Sequence, residues 1–567
     1  MIFMMTVIPF LAGAQTIDDK EAIARLTGVV DVEEVDSQDL EMLSDMIHNP
    51  IKINSATTGR LEKSGIFTSF QIASIHDYRS RHGDILSLME LSSLDGFSSD
   101  IVSRLAPFIT LNGGTPVVGL KAVQHDISVR SGVKTEETLS LMYGVRSRVR
   151  TGAMTLSVSG SKAYSERGYA LSDMSGNISW NHSSGNLIIG DFNARFGQGM
   201  CLWNTSQIGG LTAPSAFMRK PSGIAPTFSF TGSSALSGAA GDLSFGRWKV
   251  TALVAFPGIK QVRSKPDKLK FMPAVNVTHY RKYGHVALTH MSEISDFYSS
   301  SFRIPRMMSS ADASVCISGV NLFGEMAYAW VNSSVGVRCG TDWRLTDALR
   351  MAALLKYFPC RGFSNEYGAA VSGEYEVGRS RGEFSADASY YPESKSKDGA
   401  RSVQVKMQTN WEYDMFECLV FKIRISERLR TWGRRTRTDV RLDVKYTSGI
   451  FQSAARINVL DCVNTGVLAY CEGGLRGKTV DADIRAGVFR IDDWDDRIYV
   501  YERDAPGSYN VPAYYGRGLW LAMNVTWKVN RGIRIYGRAS YVGYPFMDAE
   551  KRKPGKAELK IQTVFKF

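Results

Sequence analysis

Past Pro116 the chain adopts a two-residue rhythm of apolar and polar side chains and keeps it to its last residue, Phe567. Twenty-four such segments can be marked, the first at 118–131 and the last at 556–567. In the last, Leu559, Ile561, Thr563, Phe565 and Phe567 fall on one side of an extended strand. Lys560, Gln562 and Lys566 fall on the other, and Val564 is the one apolar residue on that polar side. Successive side chains of a strand point to opposite faces, so the pattern specifies half-apolar strands and excludes helices over some 450 residues.

The links between segments alternate in length. After even-numbered segments they are one or two residues long, as at Gly152, Gly246, Lys282 with Tyr283, Ser448, Gly477 and Asn530. After odd-numbered segments they are usually longer, as at 165–172, 196–235, 258–270, 294–310, 392–399, 491–513 and 544–555; Ser333 is the exception. A soluble sandwich gives its two ends no reason to differ, whereas a bacterial membrane barrel has short periplasmic turns and long external loops. The chain resembles a bacterial outer-membrane β-barrel in this rhythm and in its aromatic carboxy-terminal strand. The fold class expected is α plus transmembrane β: an antiparallel up-and-down barrel of about 24 strands over 118–567, preceded by a small all-α domain. Its 24 Tyr, 27 Phe and 10 Trp would supply aromatic girdles, and its lipid-facing side implies outer-membrane lipid as a partner.

Facing follows from cost. In Phe421–Arg428 the apolar set Phe421, Ile423 and Ile425 opposes Lys422, Arg424 and Arg428, and Val440, Leu442, Val444 and Tyr446 oppose Arg441, Asp443 and Lys445. Val145 and Val149 likewise oppose Arg146, Arg148 and Arg150. A lipid-facing cation costs about 2–4 kcal/mol at the bilayer midplane, so these eight cations are expected to line the lumen. Such a lining suits either a generic polar wall or a path for anions.

The amino-terminal region differs in kind. Residues 1–14 are apolar and end in Ala12-Gly13-Ala14, a small-x-small site expected to terminate a signal peptide. Residues 15–114 carry 16 Asp plus Glu against 8 Lys plus Arg, a net of about −8 in a chain of +12, which leaves about +20 for the rest. Within them, 15–48 reads as an acidic helical segment with Leu40, Leu43 and Ile47 at helical spacing. Over 49–111 two similar units follow, Leu61–Arg79 around Gly65 and Leu91–Phe108 around Gly96. This tandem resembles the paired helix-hairpin-helix module of competence-type DNA receptors. That family holds a DNA phosphate on the hairpin amides and the following helix N-terminus. The resemblance implies Lys63, Arg79, Arg81 and Arg104 as nucleic-acid contacts, and DNA binding or uptake as the function. Phe67 and Ser98 stand where the family has its second glycine, and the acidic balance opposes phosphate attraction. A protein-contact role for the module therefore competes with a nucleic-acid one.

No metal-ligand spacing, His-Glu-x-x-His motif or nucleophile elbow occurs, so neither a cofactor nor an enzymatic role is expected. A Ser/His pair assembled across strands around His285 or His290 is the one catalytic alternative. Seven scattered cysteines read as small strand residues, and Asp492, Asp493, Asp495 and Asp496 around Trp494 as a solvated loop tip. Three functions stay open: a conduit or receptor, with DNA the implied cargo; a closed barrel whose acidic head plugs the basic lumen or docks another envelope protein; and a small-solute porin. The head is expected in the periplasm or in the lumen. The segment 196–235, about 40 residues long, is expected to fold partly into the lumen.

Overall fold

The computed structural model describes residues 19–28, 37–111 and 123–567, except 167, 183, 206–211, 231–234, 257–270, 282, 296–302, 347, 397, 417, 434–435, 509, 531, 549 and 551. The expected signal peptide, the junction at 112–116 and the link 258–270 lie outside the described residues.

Twenty-four long antiparallel strands close into one barrel, from Gln124–Thr135 to Lys556–Lys566. The last strand pairs with the first, Lys566 opposite Asp126 and Ala557 opposite Thr135, so no edge is left unpaired. A four-residue strand, Gly223–Pro226, is an addition to the wall. It pairs with Phe192–Arg195, while the lower part of the same wall strand pairs with Leu236–Phe245.

Burial runs opposite to that of a soluble protein. Apolar side chains such as Val145, Ile425, Leu442, Leu559 and Ile561 are exposed, whereas Ser157, Ser159, Asn177, Ser179, Thr251, Asn276 and Gln562 are buried. An apolar outside, a polar inside and a closed hydrogen-bonded ladder are what a bilayer demands of strands. The protein is an outer-membrane β-barrel. No described helix is long and apolar enough to cross a membrane.

Strand bounds follow the two-residue period closely, with one large departure. The tenth strand begins at Arg303 rather than at 311, while the expected start of the first strand, at 118, lies outside the described residues. Pro305 interrupts the alternation at the start of the tenth strand, and a β-bulge there, between Glu293 and Ser295 of its partner, accommodates it. A proline lacks the ladder N–H, so a bulge is where it does least harm.

The helical region holds α1 (Asp19–Thr27), α2 (Ser37–His48), α3 (Thr58–Lys63), α4 (Ser69–His82), α5 (Leu88–Ser92) and α6 (Ser99–Leu105). Thr57, Thr68, Ser87 and Ser98 cap α3 to α6 by accepting from backbone N–H groups one turn on, and Gln71 completes a capping box with Thr68. Ile53, Ile75, Ile85, Leu91 and Phe108 form its dry centre. The entry and exit of this domain are tied by a parallel pairing of Ile51–Lys52 with Ile109–Thr110. Asn54 fixes the same closure, donating to the carbonyls of Ile85 and Leu111, each at 2.9 Å, and accepting from the N–H of Ile85.

Candidate functional site

The helical domain touches the inner wall at strands from Leu139–Thr151 to Ser402–Phe416. Glu62 of α3 meets Lys249 at 2.5 Å and accepts from the Tyr280 hydroxyl at 3.1 Å, while Lys63 donates to Asn181 at 2.9 Å. Arg104 of α6 pairs with buried Glu374, Arg25 of α1 lies 3.6 Å from Glu412, and Asp45 of α2 lies 3.5 Å from Arg148. Every one of these wall residues stands within five positions of a short link, which places the domain at the short-turn end of the lumen. Asp39 reaches deepest, pairing with Arg195 at the far end of the strand Gly185–Arg195.

Two long links enter from the opposite end. The described part of 196–235 lies against the inner wall, as the sequence suggested. Arg338 donates to the Phe217 carbonyl at 3.0 Å, Ser161 to that of Phe230 at 2.7 Å and Asn177 to that of Thr227 at 2.6 Å. Lys220 then donates to the Ile66 carbonyl at 3.1 Å, so this link meets the helical domain inside the barrel. Burial, with Arg350 and Arg104 nearby, pushes the Lys220 ammonium down to about 8. The second link, 492–515, was not anticipated. Its Glu502 pairs with Arg538, Asp504 with Lys560 at 2.8 Å, and the Pro506 carbonyl accepts from Gln562 at 2.8 Å. Tyr501 packs against the core of the helical domain. Asp496 is fully buried, not solvated as expected, because its carboxylate accepts from the N–H groups of Val463 and Asn464 at 2.9 and 2.8 Å. The adjacent Asp492 holds Arg517 through two bonds of 2.6 and 2.9 Å.

The residues singled out as nucleic-acid contacts are dispersed. Lys63 and Arg104 face the wall, Arg79 donates to the Ala56 carbonyl at 2.8 Å, and Arg81 is exposed and paired with Asp77 at 2.8 Å. Burial drives the Lys63 ammonium down to about 8, which weakens it as a phosphate ligand in this position. Gly65 and Gly96 both take left-handed backbone, at φ +66° and +82°.

The eight basic wall residues occupy varied settings. Arg148 stacks on Phe228 at 3.6 Å, and Arg146 lies over Phe228 and Phe230 at 4.9 and 4.7 Å. Arg150 lies 3.4 Å from Asp126, Lys422 is 2.5 Å from Glu412, and Arg441 is 3.2 Å from Asp443. Arg424, Arg428 and Lys445 stand in register with Arg441, Arg437 and Val420. Arg456, isolated in its strand and missed by pattern, also engages Asp443 at 2.5 Å.

His285 bridges Asp312 at 2.8 Å and Ser314 at 2.9 Å. The cavity beside it holds only about 10 Å³, and Ser314 does not line it. His290 is held between Ser309 and Ser292 at 2.8 and 3.3 Å.

No protein-family model matches the chain, and no curated protein does. Solved structures similar to it in fold include the copper transporter OprC, at 8% identity and TM-score 0.40 over 79% of this chain and 81% of that one. The ferric enterobactin receptor PfeA of Pseudomonas aeruginosa matches at 6% identity and TM-score 0.43, over 79% of this chain and 80% of that one. The translocation pore of the P pilus usher PapC matches at 8% identity and TM-score 0.40, over 78% of this chain and 99% of that one. These similar structures are a transporter, a receptor and a pore.

Proposed function

We propose that the protein is a gated outer-membrane conduit whose acidic amino-terminal domain is its plug. The observation that supports this is the set of five ion pairs from that domain to the wall: Arg25 to Glu412, Asp39 to Arg195, Asp45 to Arg148, Glu62 to Lys249 and Arg104 to Glu374. An open cylinder of 24 strands would leak, since wide barrels leave an aqueous channel unless something fills it. The opposite charges of head and wall steer the head into place, and the pairs set its position. Opening then requires the head to shift or leave, pulled by a partner in the periplasm or loosened by cargo. The expected result in planar bilayers is a closed channel that opens when high salt or mild denaturant weakens the head. Steady conductance of the untreated full-length protein at low salt would overturn the plug.

The tandem around Gly65 and Gly96 supports a second reading, in which a helix-hairpin-helix head contacts DNA. In the docked position Lys63 and Arg104 are already engaged by Asn181 and Glu374. DNA contact therefore belongs to an undocked head, and a gel-shift assay that retains DNA only after release would favour it.

A further inference from the structure

The structure assigns a binding site for a compact polyanion, of the phosphate or polycarboxylate kind, at the seam between plug and wall. The seam encloses a cavity of about 190 Å³, and its charged lining is unequal: Lys63, Arg146, Arg148, Arg195, Arg534 and Lys566 against Asp39 and Asp45. Each carboxylate is already shared with a cation, Asp39 with Arg195 and, at 3.5 Å, Asp45 with Arg148. Among the described residues neither Arg534 nor Lys566 has a carboxylate partner. Both stand on the last two strands, where Arg534 is in register with Val564, two positions from Lys566.

Concentrating like charge in an enclosed space is costly unless an opposite charge joins it. The walls also suit an oxyanion in shape. Phe228 covers the flat faces of Arg146 and Arg148, leaving guanidinium edges to make in-plane, paired hydrogen bonds to oxygen. Asn193, Ser222, Thr227 and Ser229 add neutral polar lining. The cavity is too small for a nucleic-acid strand and lies inside the barrel, away from lipid headgroups, so the ligand arrives from solution. Because the site uses the docked head, it rests on the plug proposed above, and a bound polyanion would compete with Asp39 and Asp45 for the arginines that hold the head.

The test is isothermal titration of the full-length protein in detergent with inorganic pyrophosphate at low salt. One saturable site is expected, weakened about tenfold by Arg534→Gln and by Lys566→Gln, since each removes a charge-assisted bond. Arg146→Lys keeps the charge but not the fork and should weaken binding less. Arg490→Gln, at an exposed cation outside the site, should leave it unchanged. Heat-modifiable gel mobility verifies that each variant is a folded barrel. Absence of saturable binding, or affinity unaltered in folded Arg534→Gln and Lys566→Gln, overturns the site; so does tighter binding of an oligonucleotide that survives both substitutions. Conductance of the same samples separates the two proposals. A closed channel without anion binding refutes the site alone, and an open channel that binds pyrophosphate refutes the plug alone.

Discussion

Arg104, in the last turn of α6, keeps Asp100 one turn behind it at 3.1 Å while its guanidinium also reaches the buried carboxylate of Glu374 on the wall. Glu374 in turn accepts from Arg381 at 2.8 Å, so a single wall carboxylate neutralises one cation of the head and one of the barrel.

Glu374→Gln should therefore weaken docking by about 1.5–3 kcal/mol, because Arg104 and Arg381 lose the carboxylate they share while each keeps another, Asp100 for Arg104 and Glu383 at 3.0 Å for Arg381. Trypsin digestion of the full-length protein in detergent is the check: the head of the variant should be cut much faster than that of the parent. Equal rates would show that this pair does not hold the head.

The pair Asp39–Arg195 should couple through more than charge screening, since both side chains are buried. In a double-mutant cycle with Asp39→Asn and Arg195→Gln, a coupling of at least about 1.5 kcal/mol in head retention is expected. Additive losses would place the two residues outside a common latch.

Docking should strengthen as pH rises from about 8 towards 10.5, the ordinary value of a lysine. Burial disfavours the Lys63 ammonium in the docked head, so below 8 both states are charged and docking carries the full penalty. Between the two values the docked state has lost a proton that the released state retains, and stability grows with pH; above 10.5 the gain is complete. The salt concentration that releases the head should be higher at pH 9.5 than at 7.5, and Lys63→Met should flatten that difference.

Gly96→Ala and Gly65→Ala should differ although both glycines have positive φ. A Cβ at Gly96 would come within 2.6 Å of the Phe70 ring, whereas at Gly65 its nearest neighbour is Ser222 at 3.9 Å. The second change should cost about 1–2 kcal/mol for backbone conformation alone, and the first more. Hydrogen exchange of head amides in the intact protein would rank them.

The wall was legible because strand facing has a fixed period and the bilayer penalises errors on one side. Val440, Leu442 and Val444 reveal their partners Arg441, Asp443 and Lys445 without any tertiary knowledge. Contacts across the lumen have no such local signature. Nothing beside Asp496 announces that it will be buried under Val463 and Asn464, and the link 492–515 reads as polar because its partners Lys560, Gln562 and Arg538 lie on distant strands. The charge division offered docking in the lumen as one alternative, beside a head left in the periplasm. Which residues meet, as with Glu62 and Lys249, required the fold.

The small strand Gly223–Pro226 bears on how wide such a gate can open. Its ladder with Phe192–Arg195, and the bonds from Ser159, Ser161 and Asn177 to the residues just after it, sew one external link into the cylinder. Swinging that link outward would tear a row of backbone bonds in an enclosed setting, a far larger loss than sliding the head. A departing head would thus uncover an eyelet bordered by a fixed tongue, narrower than the hoop of strands around it, and only cargo slim enough to thread past the tongue could cross.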